Sequence, residues 1–215
     1  MDNGLYNSRE LEAGHSSAAS LFPMFVKLEG RSCLVVGAGR IAESKIPGLL
    51  EARAKVRVVA PAANAAVADW ARRGEIFWDV KNFEPADLDN TFLVIAATSC
   101  SALNECVFHE ARRRNVLCNA VDDPHNCDFY YGAVVRRGAL QLAISTAGLS
   151  PALAQRLRHE LEEQFGAEYA TWLDQLGQAR DDLFSREMEP ETRRQILHDL
   201  ASRASFAAHN GAKRS

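Results

Sequence analysis

Short apolar runs alternate with helix-like stretches along the first part of the chain. Residues 33–36 (Cys-Leu-Val-Val), 56–59 (Val-Arg-Val-Val) and 92–96 (Phe-Leu-Val-Ile-Ala) are nearly continuous in apolar character. Runs of that length and composition are the pattern of strands buried on both faces. Between them, residues 40–52, 65–73 and 103–114 carry a helical period, and residues 75–78 and 116–120 read as two more strands. Pro61 closes the second strand. Strands and helices in this rhythm predict a doubly wound parallel sheet.

After Val121 the rhythm changes. Residues 129–135 and 139–145 are strand-like, and Arg136-Arg137-Gly138 separates them, so a hairpin is expected here. Ser150 and Pro151 then supply an N-cap and a first-turn proline for a helix. Its apolar stripe is Leu153, Leu157, Leu161 and Phe165, spaced by four. Residues 168–208 continue in helical pattern, with Trp172, Leu173, Leu176, Leu183, Ile196, Leu197 and Leu200 as core candidates. A lone two-stranded hairpin is not stable in water. A second copy of the chain is the simple partner for it, and a homodimer through residues 121–150 is expected.

The stretch Leu-Val-Val-Gly-Ala-Gly-Arg-Ile-Ala, residues 34–42, joins the first strand to the first helix. It has the G-x-G-x-x-A spacing of a dinucleotide-binding turn. Gly37 permits a sharp turn, Gly39 leaves room for a pyrophosphate, and Ala42 lets helix and strand pack closely. The free N–H groups at the helix start favour phosphate. Gly37, Ala38, Gly39, Arg40 and Ile41 are therefore cofactor candidates. Two residues depart from an ideal helix. Pro47 should kink it or remove a hydrogen bond, and Arg53 stands where glycine would end a helix most easily.

The expected architecture is α/β: a Rossmann-type parallel sheet, a small β dimerisation region and a helical C-terminal domain. Its divisions fall at residues 1–20 (a disordered leader), 21–121 (the dinucleotide-binding domain), 122–150 and 151–215. Residues 21–28 (Leu-Phe-Pro-Met-Phe-Val-Lys-Leu) read as an apolar lead-in packing on the domain edge, and the last seven residues should fray.

A chain of 215 residues holds one large or two small domains, and 25% charged residues with 47% hydrophobic suits a soluble protein. A net charge of -3 offers nucleic acid no attraction, and the local basic clusters read as solvated faces. The five cysteines include no C-x-x-C pair, which points to reduced thiols in the cytoplasm. The N-terminus lacks the basic and apolar regions of a secretory signal. No apolar run reaches the length of a membrane span. There is no H-E-x-x-H, no G-x-S-x-G and no Cys/His cluster of metal spacing, so no resident metal is expected.

Three loops could carry chemistry. Ala97 and Thr98 follow a buried strand at the carboxyl edge of the sheet, where ligands of this fold bind. They could approach a cofactor or form an ordinary turn. Asn119 and Asp122, followed by Asp123 and Pro124, suit polar or proton-transfer work, or an Asx-turn before proline. Ser145, Thr146 and Gly148 precede a capped helix start, where an anion-binding nest can form. Arg156, Arg158 and His159 on that helix could meet carboxylates, or be solvated side chains.

In combination these motifs resemble the siroheme-synthase dehydrogenase/ferrochelatase family. The likeness runs through residues 21–45, VVAP, FLVIAAT, CNAVDDPHNCDF and AISTAGLSPALAQRLRHELE, covering residues 21–165. Members of that family oxidise precorrin-2 to sirohydrochlorin with NAD, and some also insert Fe²⁺ to give sirohaem. The resemblance places the family's catalytic aspartate on Asp122, within the same N-x-V-D context. It places a substrate-side asparagine on Asn119, and the NAD site on the glycine turn, Ala60, Pro61, Ala97 and Thr98. Ser145, Thr146 and Gly148 fall at the tetrapyrrole cleft. Cys127-Asp128 and the doubled carboxylate at Asp123 depart from the family pattern. No acidic residue follows the second strand, so the preference for NAD over NADP comes from the resemblance alone. Three readings stay open: dehydrogenase and ferrochelatase, dehydrogenase alone, or a non-catalytic NAD- or tetrapyrrole-binding sensor.

Overall fold

The first strand decides the arrangement of the N-terminal unit. In β1 (Ser32–Val36) every residue after Ser32 is buried, and successive side chains enter opposite faces of one sheet. Cys33 and Val35 join a core with Ala42, Ile46 and Leu49 of α1 (Arg40–Glu51) and Val67 of α2 (Ala65–Arg72). Leu34 and Val36 join a second core with Val107, Phe108 and Ala111 of α3 (Ser101–Arg113). Helices therefore cover both faces, which is why the strand shows no polar alternation. Fully burying each of the Val, Leu, Ile and Phe side chains among them contributes roughly 1.5–3 kcal/mol.

The computed structural model describes residues 21–212, and the expected leader lies outside them. The described chain forms two compact units that divide after Tyr130. In the first, β2 (Lys55–Val59), β3 (Phe77–Asp79), β4 (Leu93–Ala96) and β5 (Leu117–Ala120) join β1 in an all-parallel sheet of order β3-β2-β1-β4-β5. Val36 pairs with both Val59 and Ala96, and Ala96 with Ala120. Four strands thus end in line, and their following loops open along one edge. The order reverses between β1 and β4, the switch point at which ligands of such sheets bind.

Local chemistry explains the departures from expectation. Pro47 leaves α1 unbroken from Arg40 to Glu51. It lies on the exposed face, where water can hydrate the carbonyl it leaves unbonded. Arg53 ends that helix as a glycine would, with φ of 57°. Its N–H donates to the Leu50 carbonyl at 2.9 Å and that of Ala54 to Leu49 at 3.0 Å, a complete Schellman closure. Gly74 and Asn115 close α2 and α3 in the same manner, with φ of 73° and 56°. The closure after α2 consumes Gly74 and Glu75, so β3 starts at Phe77 and not at residue 75. The lead-in is another correction. Phe22, Met24 and Phe25 are exposed, and only Leu28 of that stretch packs against the core.

The second unit opens with an antiparallel pair, β6 (Ala133–Arg137) and β7 (Leu140–Ile144). The expected boundaries shift because Arg137 pairs with Leu140, leaving a two-residue turn at Gly138-Ala139. Gly138, with φ of 58°, supplies the positive dihedral that such a turn requires at its first position. Four helices follow: α4 (Pro151–Gln164), α5 (Glu168–Phe184), α6 (Pro190–Leu200) and α7 (Arg203–Ala212). Arg137 closes α4 by donating to the carbonyls of Phe165 and Glu162 at 2.7 and 3.0 Å. Tyr169 and Trp172 pack on Phe206. Of the stripe on α4, Leu153 is exposed and the others are half-buried, while Ala154 beside it is buried.

Candidate functional site

The sheet edge is built from main chain. The N–H of Gly37 donates to Val59, that of Ala97 to Val36 and that of Val121 to Ala96, each at 2.8–3.0 Å. The ladder therefore runs one residue past the strands, bringing the turns after β1, β4 and β5 side by side. A Cβ on Gly37 would lie 2.5 Å from the Ala97 carbonyl oxygen, and its φ is 103°. No other residue fits there. Gly39 has another reason to be small. It is the N-cap of α1 with an ordinary φ of -92°, and a Cβ would project into open space. That space lies at the helix start, where no described side chain caps the first N–H groups. A pyrophosphate fits this bare cradle by charge and by hydrogen bonding. Ala42, fully buried, seats the helix against the sheet.

Two asparagines that sequence reasoning passed over stiffen this cradle. Asn64 caps α2 by accepting from the Val67 N–H at 3.0 Å, while its Nδ2 donates to Glu43 at 2.6 Å. Its own N–H donates to the Ala38 carbonyl at 3.0 Å. An Asn directly before an amphipathic helix is a cap signal that was available in the sequence. Asn104, buried on α3, grips Thr98 from both sides. Its Oδ1 accepts from the Thr98 hydroxyl and N–H at 2.7 and 3.1 Å, and its Nδ2 donates to the Thr98 carbonyl at 3.1 Å. The Thr98 hydroxyl hydrogen is thus engaged within the loop. Beside it Ala97 is buried, as is Ala60 after β2, while Pro61 is exposed. Arg40 is exposed and Ile41 half-buried at the start of α1.

After β5 the chain forms a second constellation. Asp122 is exposed, with φ of 60°. No described residue bonds its carboxylate. Asp123 accepts from Asn126 Nδ2 at 2.6 Å, and Asp128 accepts from the Cys118 N–H at 2.9 Å. The two extra carboxylates therefore have structural partners, and Asp122 stands apart. Asn119, buried, donates through Nδ2 to the Phe129 carbonyl at 2.8 Å and to Cys127 Sγ at 3.3 Å. Its amide hydrogens hold the returning chain. Burial pushes the Cys118 thiol up to about 12, with the Asp128 charge adding to it, and pushes the Cys33 thiol up to about 11 against the pull of Arg31. Both are inert core thiols.

In the second unit, Ala147 and Gly148 both have positive φ, 51° and 82°, and the Leu149 N–H donates back to Thr146 at 2.9 Å. This tight turn presents Ser145 and Thr146. Each hydroxyl oxygen accepts one backbone N–H, from Ala147 and Ser150, and no described acceptor takes either hydroxyl hydrogen. Ser150 caps α4 through the Leu153 N–H. Arg156, Arg158 and His159 do not form a free cationic cluster. Arg156 pairs with Glu160, and Arg158 and His159 both lie against Glu162. Among the described residues no group of three or more His, Cys, Asp or Glu side chains could hold a metal ion. No described helix is long and apolar enough to cross a membrane.

A glycine turn at the switch point of a doubly wound sheet, opening on a bare helix start, defines a nucleotide-binding α/β protein. The family described as "Putative NAD(P)-binding" matches residues 24–133, just over half the chain, and that described as "Sirohaem biosynthesis protein central" matches residues 137–164. The chain belongs to this NAD(P)-binding family, as its motifs led us to expect. It is 39% identical over 164 residues to siroheme synthase 1 of Serratia proteamaculans, covering 76% of this chain and 34% of that protein. With siroheme synthase 1 of Pectobacterium atrosepticum it shares 39% identity over 184 residues, covering 86% and 36%. The chain thus spans about a third of the length of the curated relatives it matches. A solved structure described as SirC, precorrin-2 dehydrogenase, superposes with a TM-score of 0.75 at 29% identity, covering 85% of this chain and 90% of that one.

Proposed function

We propose that this protein is a precorrin-2 dehydrogenase that oxidises its substrate to sirohydrochlorin with NAD. The observation that carries this reading is the pairing of a dinucleotide cradle with one carboxylate, Asp122, left without a partner in a loop on the same sheet edge. The likeness to the precorrin-2 dehydrogenase SirC over nearly its full length supports the substrate. Gly37, Ala38 and Gly39, with the first N–H groups of α1 at Arg40 and Ile41, would hold the pyrophosphate. Ala60 and Pro61 would border the adenosine ribose, and Ala97 and Thr98 the nicotinamide half. The loop 60–63 carries neither a cation for a 2′-phosphate nor an acid for a ribose hydroxyl, so the choice of NAD over NADP in this reading rests on the family resemblance.

The oxidation removes a hydride and a proton, and oxidised nicotinamide supplies the hydride acceptor. Asp122 receives the proton at its carboxylate and returns it to solvent, to which it is exposed. Asn119 stands behind it as support for its loop. The hydroxyl hydrogens of Ser145 and Thr146, beside Gly148, would donate to the substrate's carboxylates. Arg156 can exchange its glutamate partner for a substrate carboxylate at little cost, because exposed ion pairs are worth little, whereas Arg158 and His159 would have to leave Glu162 to do the same. Iron insertion would use the same carboxylate to accept pyrrole protons, with Fe²⁺ as a substrate. The protein acts as a homodimer in this reading: both outer edges of the β6–β7 pair lack a described strand partner.

The test is anaerobic: purified protein, precorrin-2 and NAD⁺, with absorbance followed and Fe²⁺ added afterwards. NADH and the sirohydrochlorin spectrum are expected, and a further change on iron addition would add chelation. Asp122→Asn should lower kcat by about 100-fold with little change in the KM for NAD⁺. Dinucleotide binding without oxidation would overturn the enzyme and favour a sensor.

A further inference from the structure

Asp122 holds a left-handed backbone, with φ of 60°, yet no described group hydrogen-bonds or ion-pairs with its carboxylate. Something else must impose that conformation. The Asp123 N–H closes a turn onto the Ala120 carbonyl at 3.3 Å, and the Asn126 N–H donates to the Asp123 carbonyl at 3.1 Å. Both carbonyls face one thiol. Cys127 Sγ lies 3.1 Å from the Ala120 oxygen and 3.2 Å from that of Asp123. The sulfur also accepts from Asn119 Nδ2 at 3.3 Å. The thiol therefore sits where the two ends of the Val121-Asp122 segment meet, anchored to β5 through a buried amide.

We propose that Cys127 is a positioning residue for Asp122: its S–H closes the 120–127 loop and holds the aspartate in the left-handed conformation that presents its carboxylate. The inference rests on the function proposed above. The thiol must stay protonated to donate. Burial pushes its pKa above the ordinary thiol value, and the nearby Asp123 and Asp128 carboxylates add to this against a smaller pull from the Ala120 backbone. Serine keeps a donor at this position, whereas valine fills similar space and donates nothing.

The experiment compares wild type, Cys127→Ser and Cys127→Val. Three readouts are taken: amide hydrogen exchange across residues 119–128 without ligand, kcat and KM with precorrin-2 and NAD⁺, and melting temperature. Cys127→Val should speed exchange at Asp123 and Asn126 and lower kcat by about tenfold each, with the KM for NAD⁺ within about twofold. Cys127→Ser should recover both readouts to within about threefold of wild type. Unchanged exchange in Cys127→Val overturns the loop closure. Faster exchange with unchanged kcat overturns the positioning role. A wild-type protein that binds NAD⁺ and oxidises no precorrin-2 overturns the function reading, while exchange still judges the closure by itself. Should Cys127→Val not fold, Cys127→Ala carries the same comparison.

Discussion

At the scale of single residues, the informative side chains are those whose partners contradict their neighbourhood. Asp122 sits in a left-handed conformation with no described bond to its carboxylate, a local cost kept where a proposed function needs it. Asp122→Gly should remove that cost. Its melting temperature should match or exceed wild type while precorrin-2 oxidation is lost, and a clear drop in melting temperature would show the aspartate to be structural. Asp87 is the opposite case. Its buried carboxylate meets Arg57 and Lys81 at 2.8 and 3.0 Å and accepts the Glu84 N–H at 2.9 Å. Burial pushes its pKa up, but these partners outweigh it and hold the carboxyl below the usual carboxylate value. A depressed folded pKa means the stabilisation is present above the unfolded value and lost as pH falls through the folded one. Urea midpoints should therefore decline below about pH 4. Asp87→Ala should cost about 1–3 kcal/mol at neutral pH, because it leaves the Glu84 N–H without its acceptor and removes one of the two carboxylates on Arg57. Equal midpoints for the two proteins at pH 7 would refute this.

At the scale of elements, the glycine turn and the helix ends show how far pattern reaches. The spacing of Gly37, Gly39 and Ala42 announced strand, turn and helix, and the structure separates what each glycine does. Gly37→Ala should destabilise the fold, since its Cβ would meet the Ala97 carbonyl and φ is 103°. Gly39→Ala should fold normally and lose NAD⁺ affinity by about tenfold or more, because its Cβ would enter only the open cradle. Thermal melts and calorimetric titration with NAD⁺ distinguish the two, and similar losses of stability would sink the distinction. Arg53 and Asn115 end helices in a conformation usually left to glycine. Pattern marked the position of Arg53 as one suited to glycine but could not announce that arginine would take up the conformation, because the closing hydrogen bonds come from the backbone. The Asn104 grip on Thr98 was likewise illegible, since a buried polar residue on a helix looks like a solvated one until its partner is placed.

At the scale of the whole molecule, the two units differ in how much they bury. The first has two continuous cores, one on each face of the sheet. In the second, among the described residues, Val135, Ala154 and Leu183 are the apolar side chains counted as buried, and Leu149 and Leu153 are exposed. So sparse a core, beside a hairpin without a described third strand, supports the proposed homodimer. Sedimentation at micromolar concentration should give twice the chain mass of 23.7 kDa, and a monomer would remove this proposal.

Sequence by itself determined the layered α/β plan, the glycine turn, the change of rhythm after Val121 and the family, because each depends on local spacing and on periodicity. Tertiary structure alone decided which strands are neighbours and which loops share an edge. It also decided that Phe22, Met24 and Phe25 lie exposed and not packed. The same holds for chemistry: three acidic residues stand close together in sequence at Asp122, Asp123 and Asp128, and only their folded partners single out one. Hydrogen bonds between residues distant along the chain leave no period to read, so a partner is legible only once the backbone has brought it within reach.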